Sequence, residues 1–222
     1  MKRILWLLAG ILFSSAALAQ QEYVPRYSAF GGFTYVNTPK LGLVQRGFDL
    51  EFGVNVTRWL TLGADYSYFT GHSDIFPQDL APSIQQQLRA VVPPGVSIFL
   101  PFESTSYTFT AGPEFNYRGV KWVTFFARPA VGGFHETATL HPNTPLTTLL
   151  VAQLAPSGKK SDLVLFYGVG GGFELIPTRH FGIQFAADFV HLNLFEGFLN
   201  GGRNSLRLSV GPTFRFGKNI SK

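Results

Sequence analysis

The chain has 222 residues, 45% of them hydrophobic and 15% aromatic, with 24 glycines and only 14% charged residues. That length suits one all-β domain, and the surplus of aromatic residues and glycine favours strands and turns over helices. The formal charge of +5 is scattered, with no basic cluster larger than Lys159-Lys160, so composition excludes a nucleic-acid partner; the absence of cysteine excludes a disulfide framework, a thiol nucleophile and cysteine-ligated zinc.

The first segment, MKRILWLLAGILFSSAALAQQ, begins with Lys2 and Arg3, continues as an apolar run from Ile4 to Phe13 and reaches the small-x-small site Ala17-Leu18-Ala19. These are the three parts of a secretory signal, with cleavage expected after Ala19. The expected organisation is therefore a signal peptide over 1–19 and one domain over 20–222. The apolar run is shorter than the roughly 20 residues of a membrane-spanning helix, and no later apolar stretch is long enough to be one. An exported chain with no spanning helix is expected.

The rest of the chain reads as eight strands. YSAFGGFTYV and WVTFFARPAVGGF alternate less cleanly, and Arg128 is assigned to the polar face of the second. The other six alternate cleanly. RGFDLEFGVNV sets Phe48, Leu50, Phe52 and Val54 against Asp49, Glu51 and Asn55. WLTLGADYSYF sets Leu60, Leu62, Ala64, Tyr66 and Tyr68 against Thr61, Gly63, Asp65 and Ser67. TSYTFTAGPEFN, DLVLFYGVGGGFEL and FGIQFAADF follow suit, with Glu114, Glu174 and Asp188 on their polar faces. The last strand sets Leu206, Leu208, Val210, Phe214 and Phe216 against Arg207, Ser209, Thr213 and Arg215. Each pattern has period two over about ten residues, the span of a tilted strand across a bilayer.

The connections alternate in length. Thr57-Arg58, YRGVK and PTRH are short, while TPKLGLVQ, residues 71–104, residues 136–161 and FEGFLNGG are longer. Short turns on one side and long loops on the other are the build of bacterial outer-membrane barrels, with turns periplasmic and loops outside. The expected fold is an all-β, eight-stranded antiparallel transmembrane up-and-down barrel with short periplasmic turns and two long extracellular loops, located in the bacterial outer membrane. Its apolar face meets lipid, because closure leaves no unpaired strand edge in the bilayer. The polar face then lines a lumen just wide enough for its own side chains.

The segment GGGFELIPTRHFGIQFAADFVHL, followed by NSLRLSVGPTFRFG, resembles the C-terminal half of the small outer-membrane barrels, the OmpA-like transmembrane group. The resemblance implies that a terminal aromatic, Phe214 or Phe216 here, is read by the barrel-insertion machinery; in this chain Gly217 to Lys222 follow it, so that signal would be internal. Larger members carry a peptidoglycan-binding domain after the barrel, and a barrel without one is expected here.

The lumen face collects Asp49, Glu51, Asp65, Glu114, Glu174 and Asp188 with Arg128, Arg207 and Arg215. Isolated buried charges are strongly disfavoured, so a layered ion-pair network with water is expected, closing the lumen to all but small ions. This network reads either as an ion path or as a polar plug that fixes register. Loop 71–104 holds the short-helix candidate PQDLAPSIQQQLRAV and the apolar PPGVSIFLPF; loop 136–161 holds the apolar NTPLTTLLVAQLAP. Such segments bind outer-membrane lipid, a surface ligand or a neighbouring membrane protein, or else fold over the barrel mouth.

Three fragments resemble catalytic or binding motifs and miss them. His135, Glu136 and His141 lack the H-E-x-x-H spacing of a metallopeptidase, and GVGGGF has Phe173 where the dinucleotide motif needs its last glycine. His191 faintly resembles the histidine of lipid A deacylases, but Asn193 stands where their serine nucleophile would be. No metal, cofactor or catalytic residue is expected. The expected role is that of a structural or surface-interaction protein acting through its loops, with a narrow diffusion channel for ions or small solutes as the alternative.

Overall fold

In the computed structural model, which describes residues 21–91 and 98–221, eight strands close into one antiparallel barrel in sequence order. They are β1 (Pro25–Thr38), β2 (Leu43–Asn55), β3 (Leu60–Ile75), β4 (Leu100–Val120), β5 (Val123–Leu140), β6 (Lys159–Leu175), β7 (Phe181–Leu192) and β8 (Arg203–Asn219). β1 closes the ring against β8, with Ala29 opposite Phe214 and Val36 opposite Arg207. The signal segment 1–19, with Ala17 and Ala19, lies outside the described residues.

Alternation puts one face of every strand outward. Phe48, Leu50 and Phe52 on β2, Leu163, Leu165 and Val169 on β6, and Leu208 and Val210 on β8 are all exposed, while Asp49, Asp188 and Arg207 are buried. This is the inverse of a soluble barrel, and it is the arrangement that crosses a bilayer. The two loosely patterned strands follow the same rule. Thr34 and Val36 on β1, and Phe126, Ala130 and Phe134 on β5, are buried inside; Phe33 on β1, and Phe125 and Val131 on β5, are exposed outside.

Aromatic residues are shared across neighbouring strands on the outer wall. Toward the long loops, Phe48, Tyr68, Tyr107 and His135 form a chain of ring contacts, with Tyr68 and Tyr107 centred 5.1 Å apart. Toward the short turns, Trp59 stacks on Phe115 and Phe173 stacks on Phe185. Aromatic girdles at the two interfaces are characteristic of such barrels, and each good ring pair adds about 0.5–1.5 kcal/mol.

The strands run longer than the ladder of about 9–11 residues needed to cross a bilayer. β3 continues past residue 71 and β4 starts ahead of residue 104, because pairing persists to Ile75 opposite Leu100. β5 likewise runs to Leu140 and β6 starts at Lys159. The two long loops are therefore 76–99 and 141–158, shorter than the 71–104 and 136–161 that the alternation suggests. The polar outward residues Thr70 and His72 ended the apolar pattern without ending the strand.

Each long loop carries a helix: α1 (Pro82–Val91) and α2 (Pro145–Leu154). The second was read from sequence only as an apolar piece. It starts where Thr144 accepts a hydrogen bond from the Thr147 N–H at 3.1 Å, with Pro145 at the first helical position. Both are start signals for a helix. The first connection is tight: a single 3-10 turn over Pro39–Leu41 ends on Gly42 at φ +57, a left-handed conformation that a side chain would strain.

Between β4 and β5 the wall opens beside the charged residues. β4 and β5 pair from Phe102↔Leu140 to Thr110↔Gly132, and again from Phe115↔Ala127, but the ladder lapses between. The register is the same on both sides of the gap, so Pro113 and Pro129 stand opposite one another within it. Two prolines remove two ladder donors at the same point. The amides among Ala111, Gly112, Glu114, Ala130 and Val131 that face this seam should exchange with deuterium faster than those of Phe48–Phe52 in the folded protein. Uniform slow exchange along β4 and β5 would mean that the ladder is continuous.

Candidate functional site: a charged lumen beneath an apolar cap

Strand parity fixes which side chains meet inside. Arg207 on β8 is the hub. Its Nη2 and Nε lie 2.7 and 2.9 Å from Asp188 Oδ2 on β7, and its Nη1 lies 2.9 Å from Asp65 Oδ1 and 2.6 Å from Ser67 Oγ on β3. Arg128 on β5 shares Asp188, with Nε 3.2 Å from Oδ1, and sends Nη1 to Glu51 Oε2 at 2.6 Å. Glu114 Oε2 is 3.9 Å from the same Nη1. Asp49 accepts from Ser209 Oγ at 2.7 Å and from Ser67 Oγ at 3.1 Å. Asp49, Glu51, Asp65, Glu114 and Asp188 thus gather round two guanidinium groups. Because six strands contribute, the cluster ties together parts of the chain up to 160 residues apart.

Glu174 and Arg215 stand apart from this cluster. They lie nearer the short turns, where Arg215 Nε is 3.8 Å from Glu174 Oε1. The same end holds residues that the turn assignment hid. Arg118, read as part of the YRGVK turn, is buried, donates to Asn55 Oδ1 at 2.7 Å and reaches the carbonyl of Arg58. Gln21 is buried too, and its Nε2 is 2.9 Å from Thr124 Oγ1. Extending the parity of β4 by one step past Asn116 would have found Arg118. The described residues at this end carry seven cations (Arg26, Arg58, Arg118, Lys121, Arg179, Arg215, Lys218) against Glu22 and Glu174.

The lumen is not polar throughout, as the charged-face reading implied. Toward the long loops it fills with Phe69, Phe102, Phe134 and Phe166, and Phe134 meets Phe69 at 5.9 Å and Phe166 at 6.5 Å between ring centres. A polar strip runs beside them: Gln45 Nε2 donates to Ser104 and Ser106, and Ser104 Oγ donates to Glu136 Oε1 at 2.7 Å. Parity again carried the signal. Phe69 continues the face of Asp65 and Ser67, and Phe134 and Glu136 continue that of Arg128.

The loops close over this apolar section. Ile84 and Leu88 of α1, Val151 of α2, and Leu194, Phe195, Phe198 and Leu199 of the β7–β8 loop join the same buried cluster. Backbone bonds lock the pieces together: Ala81 N donates to Phe198 O at 2.9 Å and Asn200 N to Asp79 O at 2.8 Å. Arg203 is buried beneath, donating to Leu194 O at 3.0 Å. Phe195 adopts φ +53, and its N–H is held by Asp162 Oδ2 at 2.5 Å. A phenylalanine in that region costs of order 1 kcal/mol or more, which the burial of its ring offsets at about 1.5–3 kcal/mol.

The open seam lies beside the charged layer. A cavity of about 20 Å³ there is lined by Glu51, Gly63, Gly112, Glu114, Arg128 and Pro129 among others, enough for about one water. Arg128, Glu51 and Glu114 keep 11–13% of their side-chain surface exposed, against 1–7% for Asp188, Asp65 and Arg207.

The remaining fragments separate. His135 is on the outer wall, Glu136 on the inner, and His141 lies past the strand, 3.7 Å from Glu103. His191 faces outward and meets Asn204 Oδ1 at 2.8 Å, while Glu174 lies at the other end of β6. Phe214 and Phe216 point outward near the short turns.

No protein-family model matches the sequence, and no curated protein matches it. Among solved structures the chain is similar to Ail, the attachment invasion locus protein of Yersinia pestis, at 14% identity over 87% of this chain and 99% of that one, with a TM-score of 0.49. It is also similar to the outer membrane protein OprG of Pseudomonas aeruginosa, at 11% identity over 90% and 100%, with a TM-score of 0.48. Neisserial surface protein A is similar at 12% identity over 86% and 96%, with a TM-score of 0.47. The fold itself stands on the closed register of the eight strands.

Replacing Arg207 with Ala takes from the buried Asp65 its ion-pair partner and leaves Asp188 to Arg128 alone, and should lower the unfolding free energy by about 3–5 kcal/mol, read from reversible urea unfolding in lipid vesicles. Arg46→Ala, at an exposed outward position, should change it by no more than about 0.5 kcal/mol. Equal small losses would mean that Arg207 is not held inside the barrel.

Proposed function

We propose that the chain sits in the bacterial outer membrane as a closed barrel, and that it acts through the outer surface of its extracellular loops as a structural or surface-interaction protein. The observation that carries this reading is the cap. A diffusion pore needs a continuous polar path, and here loop residues such as Phe195, Phe198 and Leu199 pack with the inward phenylalanines in one buried apolar cluster. The ion-pair layer below joins six strands, which suits a plug that holds register.

The orientation follows from the connections. Turns such as Thr57-Arg58 are on the periplasmic side, while the helix-bearing loops 76–99 and 141–158 face outward. Binding surfaces on such barrels belong to loops held by a rigid scaffold. The first segment acts as the export signal, and the aromatic end of β8 at Phe214 and Phe216 is offered to the insertion machinery. Acyl transfer is no part of this reading, because Asn193 provides no nucleophile.

The seam beside Glu51, Glu114 and Arg128 favours a second reading, a narrow path for small ions. Five carboxylates around two guanidinium groups would make such a path cation-selective. Planar-bilayer recording on folded protein, identified by its heat-shifted gel mobility, separates the two. The closed barrel gives no discrete openings, and deleting 142–157 leaves the gel shift intact while abolishing adherence of cells that display the protein. Stable cation-selective openings in the unaltered protein would replace the first reading by the second.

A further inference from the structure

The periplasmic rim contains a second concave feature, separate from both the ion-pair layer and the cap. It is a cavity of about 290 Å³ between the β4–β5 turn, the β6–β7 turn and the N-terminal segment. Three cations line it: Lys121, Arg179 and Arg215; Glu22 is the one carboxylate among its lining residues. Arg215 is the informative one. Only 4% of it is exposed, yet among the described residues its one ion pair is to Glu174 at 3.8 Å, beyond hydrogen-bonding distance. Glu174 Oε1 is itself buried without a hydrogen-bond partner. A buried guanidinium normally directs several donors at carboxylate or phosphate oxygens, and here the lining of an open cavity is where it stands.

The walls are preformed. Gln21 bonds to Val120 O, Val123 O and Thr124 Oγ1 on one side. On the other, Tyr23 Oη donates to Gly217 O at 2.9 Å and Val24 N donates to Asn219 Oδ1 at 2.9 Å. The backbone N–H of Arg215 is held by His180 O at 2.9 Å. Little ordering is left for a ligand to bring about, which favours binding.

The position identifies the level in the membrane. Trp122 lines the cavity, is 57% exposed and has Lys121 Nζ 5.4 Å from its ring centre; Trp59 is 56% exposed at the same rim. Exposed tryptophans mark the headgroup level of a bilayer, and basic pockets there bind anionic head groups. We propose that this cavity is a phosphate-binding site which takes the headgroup of a phospholipid from the inner leaflet, with Arg215, Arg179 and Lys121 on the phosphate oxygens. Glu22 on the same wall meets the ammonium when the headgroup is ethanolamine. The placement in the inner leaflet rests on the orientation proposed above; the phosphate site itself does not.

The test uses the mature barrel folded in a neutral maltoside detergent, with Trp59→Phe leaving Trp122 as the reporter in the cavity. Short-chain phosphatidylglycerol, phosphatidylethanolamine, diacylglycerol and inorganic phosphate are titrated separately. Both phospholipids should shift Trp122 emission saturably, and diacylglycerol should not. The double variant Lys121→Gln, Arg179→Gln alters two exposed side chains and should weaken phospholipid binding at least tenfold, with heat-shifted gel mobility intact. Arg46→Gln, on the outer wall toward the other rim, should leave it unchanged. Saturable binding of inorganic phosphate as tight as that of the lipids would keep the site but assign it to a soluble phosphate. Equal binding of diacylglycerol, or no effect of the double variant, would overturn the proposal. Orientation is read independently: a membrane-impermeant maleimide should label Lys121→Cys only in cells with a permeabilised outer membrane. Labelling of intact cells would overturn the inner-leaflet placement and the orientation together, whatever the lipid titrations give.

Discussion

Every feature of this molecule depends on backbone hydrogen bonding in a medium that offers none. Inside hydrocarbon an unpaired amide costs several kcal/mol, so a sheet survives there only if its first and last strands pair. β1 and β8 do so along most of their length. Closure then assigns the faces: side chains alternate, one set must meet lipid, and the other has nowhere to go but the interior. The phenylalanines and leucines that would build the core of a soluble barrel are on the outside. The interior receives the aspartates, glutamates and arginines. Their mutual pairing is a consequence of the closure, since an isolated charge at that depth is strongly disfavoured.

The interior solves this in two different ways along its length. At mid-depth the solution is electrostatic, with Asp188 shared between Arg128 and Arg207 and hydroxyls of Ser67 and Ser209 filling the remaining acceptor positions. Toward the long loops it is apolar, and there the loops themselves complete the core. That division explains why the extended strands matter. By projecting past the bilayer they form a cup of inward phenylalanines, and α1, α2 and the β7–β8 loop bury their own apolar residues in it. A loop helix such as α2, apolar and short, has no reason to be stable alone; its stability comes from this packing.

The wall has a local exception to its own rule. At Pro113 and Pro129 two ladder donors are missing at one point, and the nearby cavity brings the least enclosed members of the charge cluster alongside. Polar backbone at membrane depth is tolerated where it borders water or protein. The coincidence of a donor-poor seam with Glu51, Glu114 and Arg128 is a consistent arrangement: the cavity between them has room for about one water, so the seam's backbone borders polar groups rather than lipid alone. At the short-turn rim the balance changes sign, from a carboxylate-rich layer to a cation-rich one, with Arg215 at the boundary.

Much of this was legible in the residues. Period-two alternation identified eight strands, parity put nine charged residues on one face, and alternating loop lengths gave the barrel its two ends. Asp49, Asp65, Asp188 and Arg207 could be grouped because local alternation alone decides which way a side chain points. What alternation could not reveal is height and partner. Whether Arg215 joins Arg207 or stands apart with Glu174 depends on the register of eight strands at once, and register is a property of the closed ring. Likewise Phe69, Phe134 and Phe166 belong to the same faces as the charges. A sequence pattern counts them as exceptions, whereas the structure gathers them with Phe195 and Phe198 into a cap, because apolar side chains seek whichever neighbours exclude water and those neighbours came from loops distant in the chain. The sequence by itself determined the faces of the strands and the ends of the barrel, through interactions between residues two apart; only the tertiary structure decided which inward side chains meet, because that required the ring to close.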